Sequence, residues 1–198
     1  RFHLQKTRPF SIAQMGAAIR FSATDDLATL ADADAILICV PTPITATREP
    51  DLSFVVSTSE VIAKHFRKGA LIVLESTTYP GTTQEVVLPI LEKSGLKAAV
   101  DFHLAFSPER EDPGSAVETK SIPKIVGGID AYSGELAARF YGLGFAQVHK
   151  VSDAQTAEAV KITENIFRAV NIALVNELKL DYSRMGIDIG EVIEAAKT

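Results

Sequence analysis

From Ala35 onward the chain alternates between short apolar runs and longer stretches in which apolar residues recur every three or four positions. The runs are Ala35-Ile-Leu-Ile-Cys-Val40, Ala70-Leu-Ile-Val-Leu74, Phe102-His-Leu-Ala-Phe106, Lys124-Ile-Val126 and Ala146-Gln-Val-His-Lys-Val151. The first two are apolar throughout, as expected of parallel strands covered on both faces. Ser53 to Phe66 and Thr82 to Leu96 carry helical periodicity. Asp51 or Ser53 can cap the first of these, and Thr82 with Glu85 forms a capping-box pattern for the second. Asp130 can start a further helix ending near Tyr141-Gly142. Strands and helices alternating at this spacing predict βαβ units, and so an α/β fold built on a doubly wound parallel sheet.

After Ser152 the pattern changes. Asp153 to Met185 contains neither Pro nor Gly. On a helical wheel Ile162, Ala173 and Ile166 fall on one side, Val170 and Leu174 lie beside them, and Val160, Phe167 and Leu178 occupy a third sector. So broad an apolar circumference implies burial on several sides, as at a subunit interface or domain connector. Gly186 stops this helix, and Asp188 with Glu191 forms a second capping box before a last helix, Ile189 to Lys197. The expected division is residues 1–151 for the sheet domain and 152–198 for the start of a helical domain.

A chain of 198 residues can bury one sizeable core plus part of a second domain. With 46% hydrophobic and 23% charged residues it has the composition of a globular protein. Its net charge of −5 disfavours a general nucleic-acid role, which calls for a basic surface. The single cysteine, Cys39, excludes an intrachain disulfide and suits a reducing, cytoplasmic setting. Apolar runs fall far short of the roughly 20 residues that span a bilayer, so no membrane partner is expected. Arg1 to Phe10 lack the apolar segment of a signal peptide. The chain begins without Met and stops at Lys197-Thr198 inside a helical pattern, so both ends are expected to be cut.

In an open parallel sheet, ligands bind beyond the carboxyl ends of the strands. The first strand there ends in Val40-Pro41-Thr42-Pro43, the second in Glu75-Ser-Thr-Thr-Tyr-Pro-Gly81, and the third in Ser107-Pro-Glu-Arg-Glu-Asp-Pro-Gly114. Ser, Thr, Pro and Asp are common in bland turns. Three successive loops that bring hydroxyls, rigid prolines and a carboxylate–arginine cluster to one edge nevertheless form a candidate site. On the long helix, Lys161 and Asn165 share a face, with Arg168 about one turn beyond. Two readings stay open for that pair: a buried Lys and Asn that need a partner, or a solvated stripe supported by Glu158 and Glu164.

Four of these segments, Ile38-Cys-Val-Pro-Thr-Pro43, Glu75-Ser-Thr-Thr-Tyr-Pro-Gly81, Phe106-Ser-Pro-Glu-Arg110 and Lys161-Ile-Thr-Glu-Asn165, together resemble the UDP-glucose/GDP-mannose dehydrogenase family. The likeness runs in unbroken order from about Ile12 to Thr198. It implies a partial Rossmann-like NAD domain followed by a long α-helix of an all-α dimerisation domain, and hence a homodimer through residues 154–185. Val40, Pro41, Thr42, Pro43, Ser76 and Thr77 would line the nicotinamide half of NAD. Enzymes of this family oxidise the C6 alcohol of a sugar nucleotide to a carboxylate in two hydride transfers, through a thiohemiacetal and a thioester on a cysteine. The resemblance makes Glu109 the general base for thioester hydrolysis, a role calling for a carboxylate buried enough to hold a proton near neutrality. Thr77 would orient the water, Lys161 would stabilise the oxyanion and Asn165 would hold substrate or water. Arg110, Glu111, Asp112 and Pro113, with Glu109, Lys161 and Asn165, would line the UDP-sugar. The loop 107–114 lacks the aromatic residue often found after Pro-Glu in UDP-glucose enzymes and looks more like the branch acting on UDP-N-acetylhexosamines, which serves surface-polysaccharide synthesis.

The chain also departs from the family. No G-x-G-x-x-G turn occurs, and Gly127-Gly128 and Gly142/Gly144 lack its spacing and context. The nucleophilic cysteine would lie beyond Thr198, since Cys39 reads as structural within a buried strand. The expectation is therefore an incomplete piece that cannot run the full reaction alone and, with central strands uncovered, dissolves poorly. Two other readings stay open: a β-hydroxyacid-type dehydrogenase, where Lys-x-x-x-Asn on a post-sheet helix also occurs, and a non-catalytic dimerisation module. His65 and His149 read as structural, and His103 sits in a strand near the Glu109 loop. No His, Asp or Glu cluster has metal-ligand spacing.

Overall fold

The computed structural model describes residues 22–110 and 118–198. Among them a five-stranded sheet forms, in which strands β1 (Ala35–Ile38), β2 (Leu71–Leu74), β3 (His103–Phe106), β4 (Lys124–Gly128) and β5 (Val148–Lys150) lie in sequence order. β1, β2 and β3 pair in parallel, Ile38 beside Leu74 and Leu74 beside Phe106. Helix α1 (Ser53–His65) connects β1 to β2. A π-helical turn over Thr83–Val87, continuing as α2 (Leu88–Glu92), connects β2 to β3. Helix α3 (Ala131–Tyr141) connects β4 to β5, which are parallel.

Side chains on a strand alternate between the two faces of the sheet. Leu71, Val73, Ala105 and Val126 form one buried cluster with Ala137 and Tyr141 of α3. The intervening Ile36, Ile38, Ile72, Leu74, Leu104 and Phe106 are buried on the opposite side. Helices thus lie on both faces, as the doubly wound reading requires. β2 is buried at all four positions, whereas β1 keeps Leu37 exposed, so the expectation of two covered faces holds for the second strand and not the first.

The sheet is parallel with one exception. β4 runs antiparallel to β3, with Ala105 opposite Gly128 and Phe106 opposite Gly127. A parallel neighbour needs a connection that crosses the sheet. Here the chain leaving Phe106 re-enters at Lys124 on the same edge: the Ser107 hydroxyl donates to the carbonyl of Ile125 (2.7 Å) and Arg110 Nη1 to that of Pro123 (2.8 Å).

Local capping follows the sequence in part. Asp130 caps α3 by accepting from the N–H groups of Tyr132 and Ser133. Asp51 accepts from Ser53 N–H ahead of α1 (2.9 Å). The expected helix 82–96 is shorter, reaching only Glu92, and its Thr82–Glu85 capping box does not form. The Thr82 hydroxyl donates instead to the Tyr79 carbonyl (2.7 Å).

The long helix α4 spans Ala154–Arg184, and α5 spans Ile189–Ala196 with Asp188 accepting from Gly190 N–H at its start (2.9 Å). The chain divides into two compact units between Ala159 and Val160. Within the second unit, Ile166, Phe167, Val170, Leu174 and Leu180 are exposed. No helix among the described residues is long and apolar enough to cross a membrane.

Candidate active site

At the carboxyl ends of β1 and β2 the chain stops making strand-to-strand bonds and ties its loops together through side chains. The ladder carries one step past the strands, Glu75 N–H donating to the carbonyl of Ile38 (3.0 Å). Next, Val40 N–H donates to the Ser76 hydroxyl (3.0 Å), which itself donates to the Val40 carbonyl (2.7 Å). The Thr42 hydroxyl donates to the carbonyl of Thr77 (2.7 Å). These bonds fix Val40, Thr42, Ser76 and Thr77 as one rim, with Pro41 and Pro43 exposed on it. Each Pro locks its own φ and restricts the residue before it, so the rim is stiff before any ligand arrives.

The same bonds correct the expectation for Cys39. It is not in a buried strand: β1 ends at Ile38, and Cys39 is exposed just past it. Its thiol faces the Glu75 carboxylate at 3.5 Å. Desolvation first, and then the Glu75 charge, push the thiol up to about 12. A thiol held above its usual range carries less thiolate at neutral pH than a free cysteine and is a poorer nucleophile.

Glu75 anchors a cluster that reading strand ends did not reveal. Lys124 Nζ lies 3.2 Å from Glu75 Oε1, the Tyr141 hydroxyl donates to the same oxygen, and Lys124 sits 4.9 Å over the Tyr141 ring and 5.4 Å over that of Phe145. The side chains of Lys124 and Glu75 are 5% and 13% exposed, so the pair is buried. Burial, reinforced by the Glu75 charge, holds the Tyr141 phenol above its usual range. A cavity of about 440 Å³ opens beside them, bounded by Leu37, Glu109 and Phe140 as well. Lys124 was missed because it begins a strand. In an all-parallel sheet that end lies away from the ligand edge, but the reversed direction of β4 brings it there. The signal available in sequence was a charged residue heading the apolar run Ile125-Val126 directly after Pro123.

Glu109 is on this edge. Its side chain is 51% exposed, so the burial expected of a general base is not met among the described residues. Its Oε1 accepts from Arg110 N–H (2.7 Å), and its Oε2 lies 3.9 Å from Lys124 Nζ. Glu111, Asp112 and Pro113 lie outside the described residues. His103 begins β3 and is therefore at the strand end away from Glu109. Its ring meets that of Tyr132 at a tilt of 56°, centroids 4.8 Å apart, and approaches the Ser133 hydroxyl at 3.5 Å, a structural setting.

A second buried carboxylate was also missed. Glu158, in the first turns of α4, is fully buried and accepts from Gly81 N–H (2.5 Å), Thr83 N–H (2.8 Å) and the Thr83 hydroxyl (2.7 Å). It takes the capping role that Thr82 and Glu85 leave open and thereby braces the loop carrying Ser76 and Thr77. It is not part of a solvated stripe. Ala154 and Ala157, also buried, are small enough to let the helix approach this closely, and their spacing from Glu158 was the available signal. Burial raises its pKa, against the pull of the donors from Thr83 and Gly81. Lys161 and Asn165 are half-buried on α4 within the second unit.

Residues 10–143 match the model of the UDP-glucose/GDP-mannose dehydrogenase family, NAD binding domain, and residues 155–198 match that family's central domain. The UDP-N-acetyl-D-glucosamine 6-dehydrogenase of Pseudomonas aeruginosa is 40% identical over 198 residues, covering 98% of this chain and 47% of its own length. The solved UDP-D-ManNAc dehydrogenase of Pyrococcus horikoshii superposes with a TM-score of 0.82 at 37% identity, over 88% of this chain and 42% of its own. A ternary complex of GDP-mannose dehydrogenase from Pseudomonas aeruginosa gives 0.84 at 28% identity, over 92% and 43%. The chain spans less than half the length of these proteins.

Proposed function

The chain belongs to the UDP-glucose/GDP-mannose dehydrogenase family, and from that membership we propose that it forms part of an NAD-dependent nucleotide-sugar 6-dehydrogenase acting on a UDP-N-acetylhexosamine, UDP-N-acetylglucosamine or a close relative, for surface-polysaccharide synthesis. The observation that carries the reading is the stapled rim at the carboxyl ends of β1 and β2, with Glu109 on the next strand's loop. The choice of sugar draws on relatives named for UDP-N-acetyl-D-glucosamine and UDP-N-acetyl-D-mannosamine and on the loop 107–114.

The rim fits one half of the cofactor. Its donors and acceptors are backbone groups and hydroxyls without charge, a set suited to a nicotinamide and its ribose. A pyrophosphate calls for a helix N-terminus or a cation instead. Val40, Pro41, Thr42, Pro43, Ser76 and Thr77 would hold that half. When bound, NAD accepts the hydride in each of two oxidations of the sugar C6.

Around it Glu109 acts as general base in the final hydrolysis, with Thr77 orienting the water. The Lys161 ammonium stabilises the oxyanion and Asn165 holds substrate or water. A fixed cation at a growing negative charge is worth most where water is excluded. Arg110, Glu111, Asp112 and Pro113 line the sugar nucleotide. Cys39 does not supply the thiol for the covalent intermediate, since the Glu75 carboxylate 3.5 Å away disfavours its thiolate. The sheet domain (1–151) and the helical domain (152–198) divide this work, and α4 pairs two copies of the chain through its exposed apolar residues.

Calorimetric titration with NAD, UDP-N-acetylglucosamine, UDP-glucose and GDP-mannose tests the reading. Saturable binding of NAD, weakened by Ser76→Ala, and preference for the N-acetylated UDP-sugar are expected. Binding of neither NAD nor any UDP-sugar by the folded chain would remove the reading.

A further inference from the structure

We propose that Lys124 is a positioning residue for Glu109, tying that carboxylate to the sheet edge through an ammonium shared with the buried Glu75. The inference rests on the reading of Glu109 as the base. The topology sets up the pair. Continuing the antiparallel register of β3 and β4 beyond Phe106–Gly127 by three residues brings Lys124 opposite Glu109, and residues directly opposite on neighbouring strands interact through their side chains.

Both flanks of Glu109 are then fastened to the same short segment. On one side Lys124 Nζ donates to the carbonyl of Pro108 (3.4 Å). On the other, Arg110 Nη1 donates to the carbonyl of Pro123 (2.8 Å). Between them the ammonium faces Glu109 Oε2 at 3.9 Å, while its opposite side is held by Glu75 at 3.2 Å and by the rings of Tyr141 and Phe145. The ammonium therefore cannot follow Glu109 into solvent; Glu109 must come to it.

A bland role, filling space beside the two rings, would be served by an uncharged side chain that avoids the cost of burying an ammonium. Glu75 already accepts from the Tyr141 hydroxyl and faces the Cys39 thiol. The buried charge neutralises Glu75 on its inner side, and on its solvent side it also faces a second carboxylate, Glu109, half exposed and on the candidate catalytic edge.

The test is the 13C resonance of the Glu109 side-chain carboxyl at neutral pH, in chain labelled on its glutamates and assigned by its loss in Glu109→Gln. In Lys124→Met the resonance is expected to move by more than its line width; in Lys124→Arg it is expected to stay near the native position. Lys124→Met leaves Glu75 buried without its cation and could unfold the chain. The double variant Glu75→Gln, Lys124→Met removes both charges, keeps a neutral core and should shift the Glu109 signal in the same way. An unmoved Glu109 resonance in the folded double variant would overturn the proposal and leave Lys124 a packing residue. The readout needs no turnover: a moved resonance with no nucleotide binding would spare the positioning role and reject the function proposed for the site.

Discussion

Gly127 turns its α-carbon to the backbone carbonyl of Asp153 so closely that a β-carbon would lie 2.0 Å from that oxygen. Both groups are main chain, so neither can swing aside. Gly127→Ala should therefore cost about 3 kcal/mol, the upper range for overpacking, read as a lowered urea midpoint with unchanged slope. Gly144, with nothing within 4 Å of its added carbon, is the control: Gly144→Ala should leave stability unchanged or raise it by up to about 1 kcal/mol.

Removing the Glu158 carboxylate strands two backbone N–H groups and a hydroxyl. Glu158→Ala should destabilise by about 2–4 kcal/mol, since each buried donor left without a partner costs about 1–3 kcal/mol and water can partly replace the carboxyl group. Burial raises the folded-state pKa of Glu158, so the folded protein holds this proton to a higher pH than the unfolded chain does. The contribution is complete below the unfolded glutamate value of about 4.3 and is lost as pH rises through the folded one. Across that window the native chain should lose stability with rising pH relative to Glu158→Gln. Parallel pH profiles of the urea midpoints would count against the assignment.

Cys39 should resist alkylation. With its thiol pushed up to about 12, it should react with iodoacetamide at pH 8 more than about 10-fold more slowly than an unhindered thiol, because only the thiolate attacks. Glu75→Gln should speed the reaction, because the Glu75 charge is one cause of the shift. Mass-spectrometric labelling rates check both.

Pairing through α4 predicts a dimer whose stability depends on Phe167 and Val170, 72% and 60% exposed. Phe167→Asp with Val170→Asp should shift the sedimentation coefficient to that of a monomer while helix content is kept. A native chain that sediments as a monomer at all concentrations would reject the pairing.

The elements legible in sequence were those whose signals are local. α1, α3, α4 and α5 followed their periodicity, and Asp130 and Asp188 cap where their positions suggested. Strand direction is not local. Nothing in Lys124-Ile-Val126 says that β4 runs against β3, and so nothing marked Lys124 as an edge residue. The apolar run through Val40 read as one strand, yet the ladder ends at Ile38 because Val40 N–H is claimed by the Ser76 hydroxyl, a partner 36 positions away. Glu158 escaped for the same reason: the helix wheel shows which face it shares, not that three unsatisfied donors wait there.

Those donors precede Glu158 by 75 to 77 positions. During synthesis the loop with Ser76 and Thr77, and the helix start at Thr83, emerge well before the carboxylate that closes them. Until residue 158 arrives, water must serve the three donors. The rim is therefore completed late, from the far end of its own compact unit, and a nascent chain stalled before α4 would carry every residue of that rim without the brace behind it.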